Sequence, residues 1–218
     1  MKNLVRLVLL YLYSRKGNIM KKIAVVASGG GTDFQSVIDA NEREQFCKIE
    51  YLVASKPEIG AIKRAEKHGI NVLTFDKTVE TKAEFYARIA ETLKAAGVEY
   101  IVLAGWLLVV PAEFIKQFEN AIINIHPSLI PSFCGEGFYG LKVHEAALAY
   151  GVKVSGATVH FVNEIPDGGR IIMQRAVEVK EGDTPEILQK RIMEEAEWKI
   201  LPLSCELVCS ELLTSRKI

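Results

Sequence analysis

At 218 residues, with 49% hydrophobic and 25% charged side chains, the chain has the composition of a soluble globular protein with one domain and a sizeable core. Lys+Arg and Asp+Glu both number 27, and this neutral balance argues against the extended basic surface that non-specific nucleic-acid binding requires, while leaving room for a local anion site. The cysteines, Cys47, Cys134, Cys205 and Cys209, form no CxxC, and the Cys205/Cys209 pair has no histidine nearby, so they read as thiols of a reducing, cytoplasmic compartment and no metal is expected.

The chain opens with an apolar run, Leu4 to Tyr13, that contains Arg6 and is too short to span a membrane. Ser14-Arg15-Lys16-Gly17 offers no small-residue cleavage site for a signal peptide. Residues 15–18 back-translate to a purine-rich, ribosome-binding-like sequence just upstream of the Met20 codon. Residues 1–19 are therefore expected to be a dispensable or non-native extension, and 20–218 a single domain.

From Lys22 onward, strand, loop and helix alternate. Ile23–Ala27 is an unbroken apolar run, as in a strand buried on both faces. Ser28-Gly29-Gly30-Gly31-Thr32 interrupts it, and Asp33 is expected to cap an amphipathic helix that turns Phe34, Val37 and Ile38 inward. Ile49–Ala54 predicts a second strand, and the stretch after Pro57 a helix through His68, ended by Gly69. Asn71–Phe75 predicts a third strand. Thr81 and Glu84 have capping-box spacing for a helix to Ala96. Tyr100–Ala104, a short helix over Pro111–Phe118 and a strand over Ala121–Ile125 follow. A helix is predicted over Leu141–Tyr150, and alternation in Val154–Val162 and Arg170–Val179 predicts an antiparallel pair. Thr184-Pro185 opens the last helical stretch, which Pro202 is expected to divide. This order predicts an α/β fold: a Rossmann-like, mostly parallel sheet with helices on both faces and an antiparallel pair near the C-terminal end.

Three segments have the residue types of a chemical site. Gly30, Gly31, Thr32 and Asp33 lie where a first strand meets a first helix; glycines there let backbone N–H groups converge on an anion, and the helix start adds partial positive charge. The pattern is neither GxGxxG nor a Walker motif, so dinucleotide or ATP binding is not indicated. Asn124 and His126 sit two residues apart at the carboxyl end of a strand, where open α/β sheets bind ligands, and an amide with an imidazole can polarise a carbonyl and move a proton. Asp167 precedes Gly168-Gly169; spacing leaves it either a turn aspartate or a functional carboxylate that His160 orients.

Ser-Gly-Gly-Gly-Thr at 28–32, Leu-Ala-Gly at 103–105, Asn-Ile-His-Pro-Ser-Leu-Ile-Pro at 124–131, Ser-Gly-Ala-Thr-Val-His-Phe at 155–161 and Asp-Gly-Gly at 167–169 occur in an order and spacing that resemble the phosphoribosylglycinamide formyltransferase family, over about residues 20–203. The resemblance implies a catalytic trio of Asn124, His126 and Asp167, supported by His160 and Arg64. It implies phosphate binding by Gly30, Gly31, Thr32 and Asp33, and a ribose contact from Glu197. It also implies a folate pocket lined by Trp106, Leu107, Leu108, Val109 and Val110 and by Val162, Asn163 and Pro166. A cis peptide at Ile130–Pro131 belongs to the same implication.

The implied substrates are glycinamide ribonucleotide and 10-formyltetrahydrofolate, with no metal, nucleic acid or membrane partner, in a monomer or homodimer. Three departures stand out: Asp33 where the family commonly has Asn, Leu108 where Arg is common, and a longer 132–139 segment after the catalytic strand. The alternatives are a formyltetrahydrofolate hydrolase, a methionyl-tRNA formyltransferase, and a non-catalytic nucleotide-binding module.

Overall fold

The computed structural model describes residues 20–210, so the extension expected at 1–19 lies outside the described residues. Seven strands form one sheet: β1 (Lys22–Ala27), β2 (Lys48–Ala54), β3 (Asn71–Thr74), β4 (Tyr100–Leu103), β5 (Ile122–His126), β6 (Val154–Phe161) and β7 (Ile171–Glu178), in the order β3-β2-β1-β4-β5-β6-β7. β3 through β5 run parallel, and β6 and β7 are antiparallel additions to that edge. Period-two alternation divides β1 between the two faces. Ile23, Val25 and Ala27 join one apolar cluster, and Ala24 and Val26 the other.

Against the first face pack α1 (Thr32–Glu44), α2 (Gly60–Lys67), α5 (Leu141–Tyr150), α6 (Pro185–Ile192) and α7 (Trp198–Cys209). The opposite face is covered by α3 (Lys82–Ala95) and α4 (Ala112–Gln117), through Phe85, Ile89, Leu93 and Phe114. Each such apolar side chain, wholly withdrawn from water, stabilises the fold by about 1.5–3 kcal/mol. The capping box at α3 is present: the Thr81 hydroxyl accepts from the Glu84 N–H, and the Glu84 carboxylate accepts from the Thr81 N–H at 2.7 Å. The Ile130–Pro131 peptide is cis.

Two local expectations are corrected. Asp33 does not cap α1. The cap falls two residues earlier: the helix begins at Thr32, and its N-cap is Gly31, in left-handed conformation at φ 73°, which makes no side-chain cap bond. With α1 entered through glycine, Asp33 falls inside the first turn, and its Oδ1 is sealed from solvent. Pro202 does not divide the last helical stretch either. The break comes earlier, as a wide π turn at Met193–Glu197, and Pro202 lies buried inside α7.

Strand order reverses direction at β1 and β4. The loops that leave their carboxyl ends part there and open the crevice typical of parallel α/β sheets.

Candidate active site

The loop after β1 forms one wall of this crevice. The Arg64 Nε–H donates to the Gly30 carbonyl at 2.8 Å, and Arg64 Nη1 donates to Gln35 Oε1 at 3.0 Å, tying α2 to the loop. Gly31 is close to obligatory: a Cβ there would stand 2.7 Å from the Cβ of Ala61, on a backbone with positive φ. Among the described residues, the N–H groups of Gly30, Gly31 and Thr32 have no acceptor, and they lie at the positive end of α1. Thr32, Arg43, Arg64, Trp198 and Lys199 share a cleft of about 330 Å³ beside the loop.

The opposite wall is the end of β5 with the β6–β7 connection. Asn124 and His160 are cross-strand partners in the antiparallel β5–β6 register, which brings Asn124 Nδ2 to 3.1 Å from His160 Nε2. His160 Nδ1 lies 2.8 Å from the Phe161 carbonyl. The Phe161 carbonyl can only accept, so Nδ1 carries a proton and donates to it; Nε2 faces both Asp167 and the Asn124 amide, which keeps one N–H free. Asp167 sits between the two imidazoles, with Oδ1 3.5 Å from His160 Nε2 and Oδ2 3.5 Å from His126 Nδ1. Its backbone is left-handed at φ 54°, a strained setting for a non-glycine residue. Gly169 is what lets the turn close, because a Cβ there would meet the Phe161 carbonyl at 1.7 Å.

These surroundings set the charges. Burial pushes the Asp167 carboxyl upward, but the hydrogen bond from His160, the neighbouring His126 and the Gly135 N–H together hold it below its ordinary value. Burial lowers His126 more than Asp167 raises it, so the imidazole is neutral at physiological pH. Behind it lies His144, wholly buried with both ring nitrogens unpartnered, and burial followed by the proximity of His126 pushes it down to about 4. An ionised carboxylate between two imidazoles, beside a free amide donor, can take up a proton and stabilise a developing oxyanion.

Sequence reasoning missed the main-chain contribution of the 132–139 segment. The Phe133 carbonyl lies 2.9 Å from His126 Nε2, and the Gly135 N–H donates to Asp167 Oδ2 at 2.8 Å. Backbone groups have no side-chain signature; Gly135, here at φ 86°, was the one available hint. Thr158 was also missed: its hydroxyl donates to the Ser128 carbonyl at 2.7 Å and accepts the Ile130 N–H at 3.1 Å, anchoring the loop after His126.

The residues expected to line a folate pocket fall on two adjacent loops. Trp106 Nε1 donates to the Tyr86 hydroxyl at 3.1 Å, which donates to the Val109 carbonyl at 3.2 Å, and burial pushes that phenol up to about 12. Leu107 and Val109 are 62% and 84% exposed, so this loop presents apolar surface to solvent. Leu108 and Val110 turn back against the α3–α4 cluster with Trp106 and Val162. Asn163 Oδ1 accepts the Ile165 N–H at 3.0 Å and shapes the turn through Pro166 to Asp167. Glu197 lies in the π turn, buried at 6% exposure beside Asp33.

Comparison with known proteins agrees with this layout. The family model described as formyl transferase matches residues 21–204. The cowpea (Vigna unguiculata) protein named "Phosphoribosylglycinamide formyltransferase, chloroplastic" is 41% identical over 199 residues; the match covers 90% of this chain, which spans 64% of the cowpea protein's length. "Phosphoribosylglycinamide formyltransferase" of Bacillus subtilis is 41% identical over 175 residues, 79% of this chain and 87% of the relative. The crystal structure of glycinamide ribonucleotide transformylase 1 from Symbiobacterium toebii superposes with a TM-score of 0.82 at 36% identity, covering 89% of this chain and 92% of the other. A family match over most of the described fold, joined to the same sheet, leaves one assignment: the chain belongs to the formyl transferase family.

Proposed function

We propose that the chain transfers the formyl group of 10-formyltetrahydrofolate to the primary amine of glycinamide ribonucleotide, giving formylglycinamide ribonucleotide and tetrahydrofolate. The observation behind this reading is that Asn124, His126 and His160 converge on Asp167 at the end of β5, across one crevice from the anion-ready loop after β1. The names of the relatives point the same way.

In this reading Gly30, Gly31, Thr32 and Asp33 receive the phosphate, Arg64 holds their loop, and Glu197 meets the ribose. The folate ring system enters between the 106–110 and 162–166 loops. The substrate amine then attacks the formyl carbon, and the carbonyl electron pair moves to oxygen. The free N–H of Asn124 meets that oxygen. His126 starts neutral and accepts the amine proton at Nδ1, where the Asp167 charge stabilises the resulting imidazolium. Collapse of the intermediate breaks the bond to the folate nitrogen, which receives a proton and leaves. The reading needs no metal and takes a cytoplasmic monomer or homodimer as the working form. No helix among the described residues is long and apolar enough to cross a membrane.

The test is tetrahydrofolate release from 10-formyltetrahydrofolate, with and without glycinamide ribonucleotide. Release that depends on the ribonucleotide supports the proposal. Equal release without it makes the protein a hydrolase, and absence of release in either case leaves a binding module.

A further inference from the structure

The proposed reaction uses Nδ1 of His126 as its base, so the protein has to keep that nitrogen free of the imidazole's own proton. A neutral imidazole carries one proton, on either nitrogen. Left to Asp167 alone, the proton would sit on Nδ1, which faces Oδ2 at 3.5 Å, because an ionised carboxylate attracts a donor. The Phe133 carbonyl opposes this. It lies 2.9 Å from Nε2 and can only accept, so Nε2 carries the proton and the electron pair of Nδ1 is left bare. Two residues on, the Gly135 N–H donates to Oδ2 at 2.8 Å and gives Asp167 the donor that Nδ1 withholds.

The Phe133 carbonyl is held in place from several sides. Phe133 has a left-handed backbone at φ 50°, an uphill setting for an aromatic residue. Its half-buried phenyl group packs edge-on against Tyr150, the last residue of α5, at 6.0 Å and 72°, and against Phe138 at 6.4 Å and 63°. Both contacts have the geometry that aromatic pairs favour. Phe138 is itself tied back, its N–H donating to the Gly135 carbonyl at 3.2 Å. On the other side, the buried Ser128 hydroxyl donates to the Ser132 carbonyl at 2.5 Å, fixing the residue that enters the bend.

Resting on the formyl-transfer reading, we propose that Phe133 is a positioning residue: its phenyl group, packed on Phe138 and Tyr150, holds its carbonyl on Nε2 and so fixes His126 in the tautomer whose bare Nδ1 receives the proton of the substrate amine. Nδ1 and the Asp167 carboxylate then face the amine as two acceptors, and a primary amine has an N–H for each. Without the phenyl contacts the carbonyl leaves Nε2. The imidazole proton passes through water from Nε2 to Nδ1, Asp167 draws it there, and no other bond changes. The base then points into the 132–139 segment and away from the substrate. The surroundings keep this a choice between neutral tautomers: burial lowers His126 more than Asp167 and the Phe133 carbonyl raise it, His160 adds to the lowering, and burial pushes His144 behind it down to about 4.

The experiment is nitrogen NMR of protein labelled in its histidine rings, at pH 7.5 and without ligands, joined to steady-state kinetics of formyl transfer. The His126 signals are assigned by their loss in His126→Gln. The wild type is expected to show a protonated Nε2 and a bare Nδ1. Phe133→Gly, which removes the phenyl group and tolerates the left-handed backbone, and Tyr150→Ala, at a position 81% exposed, are each expected to move the proton toward Nδ1 and to lower kcat in parallel. For Phe133→Gly the loss is expected to be about tenfold or more, with both Michaelis constants within about twofold. A protonated Nδ1 in the wild type overturns the inference whatever the variants do. An unchanged tautomer in the folded variants also overturns it, even where kcat falls, because Phe133 then only packs. The NMR reading needs no substrate, so a wild type that transfers no formyl group defeats the functional reading and leaves the tautomer result to stand or fall by itself.

Discussion

Asp167 occupies a backbone conformation that costs a non-glycine residue on the order of 1–3 kcal/mol, and two imidazoles and a backbone N–H face its carboxylate. A turn aspartate tolerates that backbone but has no need of the partners. If it forms one proton-transfer and oxyanion unit with Asn124 and His126, the contacts strengthen only as charge develops, so removing them lowers turnover and spares binding. Asp167→Asn is expected to reduce turnover by about 100- to 10,000-fold, and Asn124→Ala by about 100- to 1,000-fold, with ligand dissociation constants nearly unchanged. The double variant should fall far short of the product of the two losses, since members of a unit are not additive. Steady-state turnover, dissociation constants and circular dichroism on the three proteins check this. Near-normal turnover of Asp167→Asn would return the residue to the role of a plain turn.

At the scale of elements, the glycine loop between β1 and α1 and the 132–139 segment position the site by main-chain geometry. Gly31→Val would place a β-branched side chain at φ 73° within 2.7 Å of Ala61, forcing α1 and α2 apart where the loop N–H groups converge. The Michaelis constant for the ribonucleotide is expected to rise more than about tenfold while that for the folate stays within about twofold, because one lost charge-assisted bond is worth about 1.5–3 kcal/mol. Steady-state kinetics with each substrate varied in turn measures the split; equal increases for both would show a general collapse of the crevice. The strands and most helices were legible because apolar runs and alternation are side-chain properties. The entry of α1 was not, since an aspartate suits both the cap and the first turn of a helix, and only the backbone angle of Gly31 decides. The π turn was hidden for a similar reason. Pro202 is a visible helix breaker, whereas the widened turn upstream depends on how α7 meets α1 and β7. The contacts of Phe133 and Gly135 with His126 and Asp167 leave no trace in residue type at all.

For the whole molecule, the acid pair has a consequence in the absence of any ligand. The Asp33 carboxyl, at 3.8 in an ordinary setting, is pushed up to about 6 by burial in the folded chain. Below the lower value both folded and unfolded chains hold the proton, and the acid costs nothing. As pH rises through the interval, the unfolded chain gives the proton up first, and stability falls until the folded acid also ionises near 6. A shift of this size corresponds to at most about 3 kcal/mol, and a melting temperature moves by about 2–4 °C per kcal/mol in a domain of this length. Asp33→Asn is therefore expected to raise the melting temperature by several degrees at pH 8 and by little at pH 4. Scanning calorimetry at the two values tests it, and an equal effect at both would show that Asp33 acts on stability through packing alone.

The two acids also come from opposite ends of the chain, Asp33 from the first helix and Glu197 from the turn that leads into the last. On a ribosome, the first half of the sheet and its glycine loop emerge long before that turn does. A growing chain thus displays an anion-ready loop whose far wall has yet to be made, and α1 keeps its inward face bare until α7 arrives to cover it. In the proposed reading the phosphate site is whole only once α7 has docked on α1, so binding stabilises that docked state and not a chain that lacks it.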